Sequence, residues 1–391
     1  MAERVIVGSG DGPWSVCLVA LVAGGHSGVP RYAATLARAV DRVSSDYTEL
    51  SLSMLATAKG AEAVDPQRIA VRIVAGQSPR VNAGAARLVL EHAVVLRERY
   101  DLLHYFDASG PVLARSRRFV GTIHDAAFMH GFRRVHNYYK RLLYPWSLSH
   151  ASAVVAVSQF AKDEAVRYFG VDPAKVRVVH SGPGFVPEIT AGPRARDNGR
   201  PYLLYVGNLG GNKNLPFLVR VFHRANLPVR LILAGRPCGR LSALAAAIAA
   251  GPAADRIEIV NDVGDDELDG LYRSAIALVL PSTYEGFGFT PLEAMARGCP
   301  VLMSDLPALR EVSGTGAMLL PVGADDAWVD AMRRISESKD LRAALRARGE
   351  ATASRFSWEE TARRVLDLLA QTCSAGPTPT LLYPGGRKPV R

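Results

Sequence analysis

The fold is decided by residues 281–305, PSTYEGFGFTPLEAMARGCPVLMSD. The apolar run 275–280 leads into this segment and predicts a buried strand, and residues 301–303 begin another strand. Gly286 and Gly288 lie in the loop between them, where the missing side chain lets the backbone approach a ligand closely. The order of strand, glycine loop, helix and strand is typical of a parallel α/β sheet.

The segment also carries the signals of a helix start. Thr290 is the predicted N-cap, Pro291 fits the first helical position, and Glu293 occupies the carboxylate position of a capping box. Gly298 and Pro300 predict the end of this helix. Because most capping boxes only begin helices, a helix start and a ligand site explain this pattern equally well.

The position of the loop favours a ligand site. In parallel α/β sheets, ligands bind outside the carboxyl ends of the strands. Backbone N–H groups at a helix start suit an anion. Glu285 and Glu293 flank the loop eight positions apart, and carboxylates accept hydrogen bonds from hydroxyl groups. This combination would suit a sugar phosphate or a nucleotide sugar.

Length and composition are those of a globular protein with two domains. The chain has 391 residues, of which 48% are hydrophobic and 21% are charged. No apolar run reaches the length of a membrane span, and no clear signal peptide is present. The four cysteines are scattered, without metal or redox spacing. We therefore predict a reduced, cytoplasmic setting.

The net charge of +10 has one local concentration. A solvated surface is its simplest explanation. Contact with an anionic membrane surface or with a phosphate-bearing acceptor is the alternative. Nucleic acid is not an expected partner, because neither a binding motif nor interleaved aromatic residues accompany the charge. The basic cluster consists of Arg115, Arg117, Arg118, Arg133, Arg134, Lys140 and Arg141.

The first half of the chain alternates predicted strands and helices. A glycine loop at 24–28, between a strand and a helix, has the geometry of a phosphate loop but is a weak signal alone. His124 ends a strand and would point towards the ligand crevice, although a structural histidine bonded to a carbonyl is the commoner case. The predicted strands are 16–22, 69–74, 102–105, 119–124, 153–158 and 176–179, and the predicted helices are 29–43, 82–99, 138–149 and 159–169.

The second half repeats the alternation after the Gly- and Pro-rich segment 181–201, which predicts a linker. Its loop 207–214, GNLGGNKN, places Lys213 just before a helix, where the cation would contact a phosphate or be solvated. The predicted strands are 202–206, 230–233, 257–260, 275–280 and 301–303, and the predicted helices are 215–223, 243–250, 265–274, 291–297, 307–312, 325–336, 340–353 and 358–371.

We therefore predict an α/β fold with two Rossmann-like, doubly wound domains that face each other across a cleft. No metal-ligand cluster, no D-x-D pair and no G-x-S-x-G nucleophile elbow occurs in the sequence. A cleft between two such domains suits a transferase with two substrates. The predicted divisions are an N-terminal domain at 1–185, a linker at 186–200, a C-terminal domain at 201–355, a final helix at 356–372 and a flexible tail at 373–391.

Several segments, in this order, resemble the retaining glycosyltransferases of family 4, which have the GT-B fold. The most specific is EGFGFTPLE (285–293), which is similar to the E-x7-E signature of that family. The resemblance covers nearly the whole chain. The other matching segments are GGHSGVPRY (24–32), TIHD (122–125), VSQFAKD (157–163), VGNLGGNKNL (206–215), LAGR (233–236) and FSW (356–358).

The resemblance implies that the C-terminal domain binds the nucleotide sugar, that the N-terminal domain binds the acceptor, and that the final helix crosses back onto the N-terminal domain. It implies that Glu285 holds hydroxyls of the transferred sugar, that Glu293 holds the ribose and that Lys213 neutralises the pyrophosphate. His124 would lie beside the reacting sugar. The implied donor-binding residues are Gly28, Gly207, Asn208, Lys213, Arg236, Asp262, Val263, Glu285, Gly286, Phe287, Gly288, Phe289, Thr290 and Glu293.

More detailed roles follow from the same resemblance. Backbone amides of 287–290 would meet the sugar or the pyrophosphate, and amides near Gly28 would close over it. The base would lie near Arg236 and 262–263. No metal site and no cofactor are expected, because Lys213 and the amides would stabilise the leaving diphosphate.

The chain departs from the family pattern at one point. Many relatives pair an arginine with the lysine, either directly after the glycine or directly before the lysine. Those positions hold Asn208 and Asn212 here. Lys213 would then be the main cation on the leaving group, with Arg236 as the candidate substitute.

The expected activity is transfer of a hexose to a hydroxyl group with front-face retention, because no carboxylate is clearly placed as a nucleophile. TIHD and the KNL loop are most similar to the mannosyltransferase branch, so GDP-mannose is the first expected donor and a UDP-hexose the second. A glycan, a lipid-linked sugar and a natural product remain open as acceptors. The other functions considered are a GT-B sugar-nucleotide epimerase and a non-catalytic scaffold. We expect a bacterial polysaccharide-biosynthesis protein, cytoplasmic or at the inner face of the membrane.

Overall fold

A computed structural model describes residues 12–23, 28–74, 100–110, 118–131, 138–184, 200–238 and 241–375. Within these ranges the chain forms two parallel sheets, each covered by helices. The first sheet contains β1 (Trp14–Val19), β2 (Leu50–Ala56), β3 (Ala70–Ile73), β4 (Leu102–Tyr105), β5 (Arg118–Ile123), β6 (Ala153–Ala156) and β7 (Val176–Val178). The helices of this first domain are α1 (Gly28–Val43), α2 (Ala58–Val64), α3 (Tyr138–His150) and α4 (Gln159–Phe169).

The second domain is built on a six-stranded sheet. Its strands are β8 (Tyr202–Val206), β9 (Arg230–Ala234), β10 (Ile257–Val260), β11 (Ala277–Leu280), β12 (Val301–Ser304) and β13 (Met318–Leu320). Its helices are α5 (Leu215–Ala225), α6 (Ser242–Ala249), α7 (Asp265–Ser274), α8 (Phe289–Ala296), α9 (Pro307–Ser313), α10 (Asp325–Glu337) and α11 (Lys339–Ala353), and the chain continues into α12 (Trp358–Ser374).

The two sheets repeat one strand order. The first runs β3-β2-β1-β4-β5-β6-β7 and the second β10-β9-β8-β11-β12-β13. All strand pairs are parallel, and β4, β6, β11 and β12 are buried along their whole length. The order reverses between β1 and β4 in one sheet and between β8 and β11 in the other, and such a switch point opens a crevice for a ligand.

Most predicted elements are confirmed, several of them at both ends. The strands at 102–105, 202–206 and 257–260 and the helices at 159–169 and 265–274 have the predicted bounds. Three elements were missed: β2, α2 and β13. The predicted helix 82–99, loop residues 24–27, most of the linker 186–200 and the tail from 376 lie outside the described residues, as do Arg115, Arg117, Arg133 and Arg134.

The final helix, α12, packs against α1 of the first domain. The Tyr47 hydroxyl donates to Asp367 over 2.8 Å, and Arg363 pairs with Asp46 at 2.6 Å. Ser357 is its N-cap, as predicted, because the Ser357 hydroxyl accepts a hydrogen bond from the Glu360 N–H. The helix ends at Ser374, so residues 373–374 are helical and do not belong to the predicted tail.

Candidate active site

A cavity of about 1140 Å³ opens between the two domains, at the carboxyl ends of both sheets. All fifteen residues predicted for the site line it. Gly28 and His124 come from the first domain, and the others come from loops and helix starts of the second. The chain therefore brings together residues that are up to 265 positions apart in sequence.

Lys213 and Glu285 form an ion pair at one wall of this cavity. Lys213 Nζ lies 2.5 Å from Glu285 Oε1, and the Ser282 hydroxyl donates to the same oxygen over 2.7 Å. The two charged side chains are only 19% and 14% exposed. Because both neighbours contact Oε1, Oε2 of Glu285 is the carboxylate oxygen left for a further hydrogen bond.

The position before Lys213, one of the two where the resemblance implies an arginine, has a structural role here. Asn212 Nδ2 donates to the carbonyl of Tyr284 over 2.5 Å, and the N–H of Thr283 donates to the carbonyl of Asn212 over 2.8 Å. Asn212 thus ties the loop after β8 to the loop after β11. These contacts hold Lys213 and Glu285 at the same wall of the cavity.

The predicted N-cap of α8 is wrong. The helix begins at Phe289, Gly288 is its N-cap with a φ of 117°, and no side chain caps it. Pro291 is the third helical residue and not the first, and Thr290 forms no capping box with Glu293. Among the described residues, no protein acceptor takes a hydrogen bond from the N–H groups of Phe289 or Thr290. These N–H groups remain available to an anion.

Glu293 is bound by neighbours from both domains and not by its own helix start. Its side chain is 4% exposed, and Oε2 accepts a hydrogen bond of 2.9 Å from the Tyr272 hydroxyl. Arg31 Nη1, from α1, lies 3.5 Å from Oε1, while Arg31 Nη2 pairs with Asp265 at 2.8 Å. Burial raises the pKa of Glu293, and Arg31, Tyr272 and Arg297 oppose that rise.

Gly184 covers the same carboxylate from the end of the first domain. A Cβ built on Gly184 would lie 1.6 Å from Glu293 Oε1. Only glycine fits this close approach, because any side chain would displace the Glu293 carboxylate. Segment 181–184 is therefore packed, although it forms no helix or strand.

His124 combines a structural bond with a place in the cavity wall. Nε2 lies 2.9 Å from the carbonyl oxygen of Phe106, so Nε2 carries the proton. The imidazole packs edge-on against Tyr32, with ring centres 4.5 Å apart. Burial lowers the pKa of His124, although the carbonyl acceptor opposes this, so the ring is neutral at pH 7. The backbone of His124 also contacts the motif loop, since a Cβ on Gly286 would lie 2.2 Å from its carbonyl oxygen.

Residues from both domains bond to each other beside the site. The Ser158 hydroxyl caps α4 and donates to the carbonyl of Gly286 over 2.6 Å. Glu311, on α9 of the second domain, accepts the N–H of Gln159 at the start of α4 over 2.7 Å and pairs with His180 at 2.7 Å. Burial alone would raise the pKa of Glu311, but these hydrogen bonds hold it below its usual value.

Tyr284 forms a second link between the domains. Its hydroxyl donates to Glu164 of α4 and accepts the N–H of Ala126 over 2.9 Å. Glu164 is buried and also bonds His130 Nε2 at 2.6 Å. Burial, together with Asp125 and Glu164, raises the pKa of Tyr284, so this tyrosine stays protonated.

The start of α12 reaches the cavity through Trp358. Trp358 Nε1 donates to the carbonyl of Pro183 over 2.5 Å. Its ring stacks on Phe289 with centres 6.3 Å apart and meets Tyr32 at 5.6 Å. The FSW segment therefore packs against the helix start that carries the free N–H groups.

The residues predicted near the base lie at the outer part of the cavity. Arg236 Nε pairs with Asp262 at 2.7 Å, and the two side chains are 49% and 72% exposed. Val263 lies next to this pair and also lines the cavity. Arg236 therefore has a carboxylate partner of its own, Asp262.

The wall from the first domain carries charged residues that the sequence analysis did not name as site residues. Asp107 and Asp125 follow β4 and β5, and Lys140 lies on α3. Asp125 reaches the motif loop, since a Cβ on Gly286 would lie 2.8 Å from the Asp125 Cβ. Lys140 Nζ is 5.4 Å from the ring centre of Tyr144.

The described members of the basic cluster contact protein groups. Arg118 donates to the carbonyl of Thr372 over 2.8 Å, and Arg141 donates to the carbonyl of Phe128 over 3.2 Å. Over the described ranges, no group of three or more His, Cys, Asp or Glu residues is placed to hold a metal ion. None of the helices in the described part of the chain has the length and apolar character to cross a membrane.

Comparison with known proteins places the chain in a family. Residues 26–182 match the model for Glycosyltransferase Family 4, and residues 189–352 match the model for Glycosyl transferases group 1. The O-antigen chain mannosyltransferase RfbU of Salmonella typhimurium is 29% identical over 223 residues, 56% of this chain and 61% of that one. A D-inositol 3-phosphate glycosyltransferase of Streptosporangium roseum is 30% identical over 305 residues, 70% of this chain and 69% of that one. The chain belongs to glycosyltransferase family 4.

The chain spans about three fifths of the length of the Salmonella relative. Its fold, in contrast, is shared over nearly all of its length with another protein, HepE of Anabaena in complex with UDP and glucose. The two have a TM-score of 0.70 at 18% identity, over 92% of this family 4 chain and the whole of HepE. The predicted GT-B fold is therefore confirmed.

Several residues in or beside this family 4 site were missed by the sequence analysis, among them Arg31, Tyr284, Glu311 and Trp358. Arg31, Tyr284 and Trp358 lie within segments that the sequence had already marked, so their place in a motif was a usable signal. Glu311 carried no such signal, because its role depends on how the two domains face each other.

Proposed function

We propose that the protein is a retaining glycosyltransferase that moves a hexose from a nucleotide sugar to a hydroxyl of a glycan, lipid-linked or small-molecule acceptor. The observation that carries this proposal is one cavity that joins the Lys213–Glu285 pair, the open start of α8 and the buried carboxylate of Glu293. The first two groups suit a diphosphate and a sugar, and the third suits a ribose. The family membership supports the same assignment.

The leaving diphosphate would be stabilised by Lys213 and by the N–H groups at the start of α8. An ammonium group has three N–H donors, so Lys213 can keep its bond to Glu285 Oε1 and still contact a phosphate oxygen. Oriented donors of this kind stabilise developing negative charge without a further rearrangement. Glu285 Oε2 would then accept a hydrogen bond from a hydroxyl of the transferred sugar.

The transfer would proceed on one face of the sugar. The bond from the anomeric carbon to the phosphate oxygen breaks, and the bond to the acceptor oxygen forms on the same face. The acceptor proton passes to the departing phosphate oxygen. In this proposal neither neighbouring side chain is assigned as the nucleophile: Glu285 pairs with Lys213 and holds a sugar hydroxyl, and His124 is anchored by its Nε2 bond to the carbonyl of Phe106.

GDP-mannose is the first proposed donor, and a UDP-hexose is the second. The Salmonella relative is a mannosyltransferase, which supports mannose. The complex of HepE with UDP and glucose supports a UDP-sugar. On the acceptor side, Asp107 and Asp125 offer carboxylate oxygens to hydroxyl groups, which suits a sugar. We also propose that the protein acts in the cytoplasm, in contact with the inner face of the membrane.

Sugar nucleotides test this function directly. We expect GDP-mannose, or failing that a UDP-hexose, to raise the melting temperature of the full chain and to be slowly hydrolysed by it. Mannose 1-phosphate, which lacks the nucleoside, serves as the matched control. If none of a panel of sugar nucleotides does either, the proposal is wrong. Conversion of the donor into an epimer without an acceptor would favour the epimerase, and binding without any turnover would favour the scaffold.

A further inference from the structure

Arg31 is the feature that the proposed reaction leaves unused. It lies on α1 of the first domain, and its guanidinium reaches across the cavity to two carboxylates of the second. Its bond to Asp265 is short, at 2.8 Å, whereas its nearest approach to Glu293 is 3.5 Å. The Arg31 side chain is 31% exposed and lines the cavity. It therefore lies between the carboxylate proposed for the ribose and the first turn of α7.

The two oxygens of Glu293 have different surroundings. Oε2 accepts the hydrogen bond of the Tyr272 hydroxyl at 2.9 Å. Oε1 has Arg31 at 3.5 Å, which is at the limit of a hydrogen bond, so the contact is mainly electrostatic. A neutral Glu293 would carry its proton on Oε1, because Oε2 already accepts the Tyr272 hydroxyl. Protonation would thus turn Oε1, which lies between Arg31 and Gly184, from an acceptor into a donor.

The charges around Glu293 come from three elements. Arg31 faces it from α1, and Tyr272 and Asp265 face it from α7. Arg297, the C-cap of α8, bonds to the Glu293 carbonyl at 3.2 Å and to Asp269 at 2.7 Å. Burial disfavours the charged carboxylate, and Arg31 is the strongest of the groups that favour it. Each arginine also pairs with an aspartate, Arg297 with Asp269 and Arg31 with Asp265, but Arg31 is the one whose guanidinium lies beside the Glu293 carboxylate.

We propose that Arg31 is a positioning residue for the nucleoside, which keeps Glu293 ionised so that Oε1 can accept a hydrogen bond from a ribose hydroxyl. This inference rests on the proposed function, in which Glu293 binds the ribose. Because Arg31 comes from the opposite domain, closure of the cleft would also complete the ribose site. Nucleoside binding and domain closure are then coupled through one guanidinium group.

Three variants of the full chain separate charge from shape. R31Q removes the charge but keeps a hydrogen-bond donor for Asp265, R31K keeps a positive charge, and R38Q changes another arginine of α1 that does not line the cavity. Binding of GDP and UDP is measured by calorimetry from about pH 6 to about pH 8.5. We expect R31Q to bind more weakly than the unmodified protein at low pH, with the deficit shrinking by up to about tenfold per pH unit as Glu293 ionises.

R31K and R38Q should follow the unmodified protein at each pH. The decisive quantity is the ratio of the affinity of R31Q to that of the unmodified protein at each pH. Titration of the nucleotide phosphate affects both affinities equally and therefore cancels in this ratio. An R31Q deficit that stays constant over the pH range would overturn the proposal, since a lost contact or a structural defect has no such pH dependence. Melting temperatures of all three variants report whether they fold.

A second measurement tests the ribose directly. With 2′,3′-dideoxy-GDP, which lacks both ribose hydroxyls, the pH-dependent deficit of R31Q should disappear. In an E293Q background, R31Q should cause no further pH-dependent loss. A deficit that persists with the dideoxy nucleotide would assign Arg31 to the phosphates and reject this inference. If the unmodified protein binds neither GDP nor UDP, the proposed function fails as well, which is a different outcome.

Discussion

The two glutamates of the E-x7-E segment differ in what holds them. Glu285 lies in the loop after β11, and both of its charged and polar partners, Lys213 and Ser282, belong to the second domain. Glu293 lies on α8, and its neighbours come from both domains: Tyr272 from the second, and Arg31 and Gly184 from the first. The named partners of the Glu285 carboxylate thus lie within one domain, whereas those of the Glu293 carboxylate come from both, although the backbone of the loop itself also meets the first domain at Gly286.

This difference suggests that the two glutamates, which the sequence pattern joins in one motif, have two separate tasks. A site assembled within one rigid domain can orient a sugar and its leaving group before the cleft closes. A site that needs both domains binds its ligand tightly only when the cleft is closed, because part of the binding contacts come from the facing domain. Each of the following variants acts on one end of the segment or on the contact between domains.

The largest effect is expected from E285A. The change removes the proposed acceptor for the sugar hydroxyl and leaves the partly buried Lys213 without its carboxylate. We expect sugar transfer to fall by more than about a thousandfold, with the protein still folded. E258A, at a half-buried carboxylate that pairs with Arg230 on the edge strand β10, outside the cavity, is the control and should transfer normally. Near-normal transfer by E285A would remove Glu285 from the site.

K213A should have the next largest effect. It removes the main cation proposed for the leaving diphosphate, so we expect turnover to fall by about 10²–10³-fold. The donor KM should change less, because the N–H groups of α8 would still bind the diphosphate. K213R, which retains the charge, should recover part of the turnover. A loss that appears only in KM would contradict a role in stabilising the leaving group.

E293Q should weaken donor binding and spare the fold. Loss of a charge-assisted hydrogen bond to the ribose predicts about tenfold weaker binding of GDP or UDP. Because the pKa of Glu293 is raised in the folded state, its ionised form costs stability as the pH rises through that pKa. At pH 7 we therefore expect E293Q to melt at the same or a higher temperature. A clear drop in melting temperature would show that Glu293 serves stability rather than binding.

E311Q should have the smallest effect, on the contact between domains. Glu311 accepts the first N–H groups of α4 and pairs with His180, so its replacement should cost about 1 kcal/mol at pH 7. The pKa of Glu311 is lowered in the folded state, so this contribution is present above its unfolded pKa and is lost as the pH falls through its folded pKa. Melting temperatures of E311Q and the unmodified protein should therefore converge in acid, and a constant difference would speak against this role.

Much of the fold could be predicted because buried parallel strands are continuous apolar runs. Strands such as β8 and β11 are buried on both faces, so every residue is apolar and the pattern is plain. Strand β2 was missed because Ser51 and Ser53 interrupt its apolar residues, and Ser51 is exposed. Strand β13 has only three residues at the edge of its sheet, which is too short for a pattern.

The site was predictable where its charged side chains lie within the matching sequence segments. Lys213 and Glu285 come from loops at the ends of neighbouring strands β8 and β11, so the sheet order brings them together. The start of α8 was misjudged because Thr290 and Glu293 match a capping box, yet Glu293 bonds to Tyr272 and lies beside Arg31 instead. Local patterns do not contain such tertiary partners. The contacts of Arg31 and Glu311 depend on the orientation of two domains, which no local pattern specifies.

Gly184 has a consequence for how this sequence tolerates change. It lies more than a hundred positions before Glu293, at the last described residue of the first domain, and its missing side chain leaves the space that the carboxylate fills. In a saturation mutagenesis screen for growth or product, every substitution at Gly184 should score like a substitution at Glu293 itself. Gly184, at the end of the first domain, would then show the same mutational sensitivity as a residue of the nucleotide pocket.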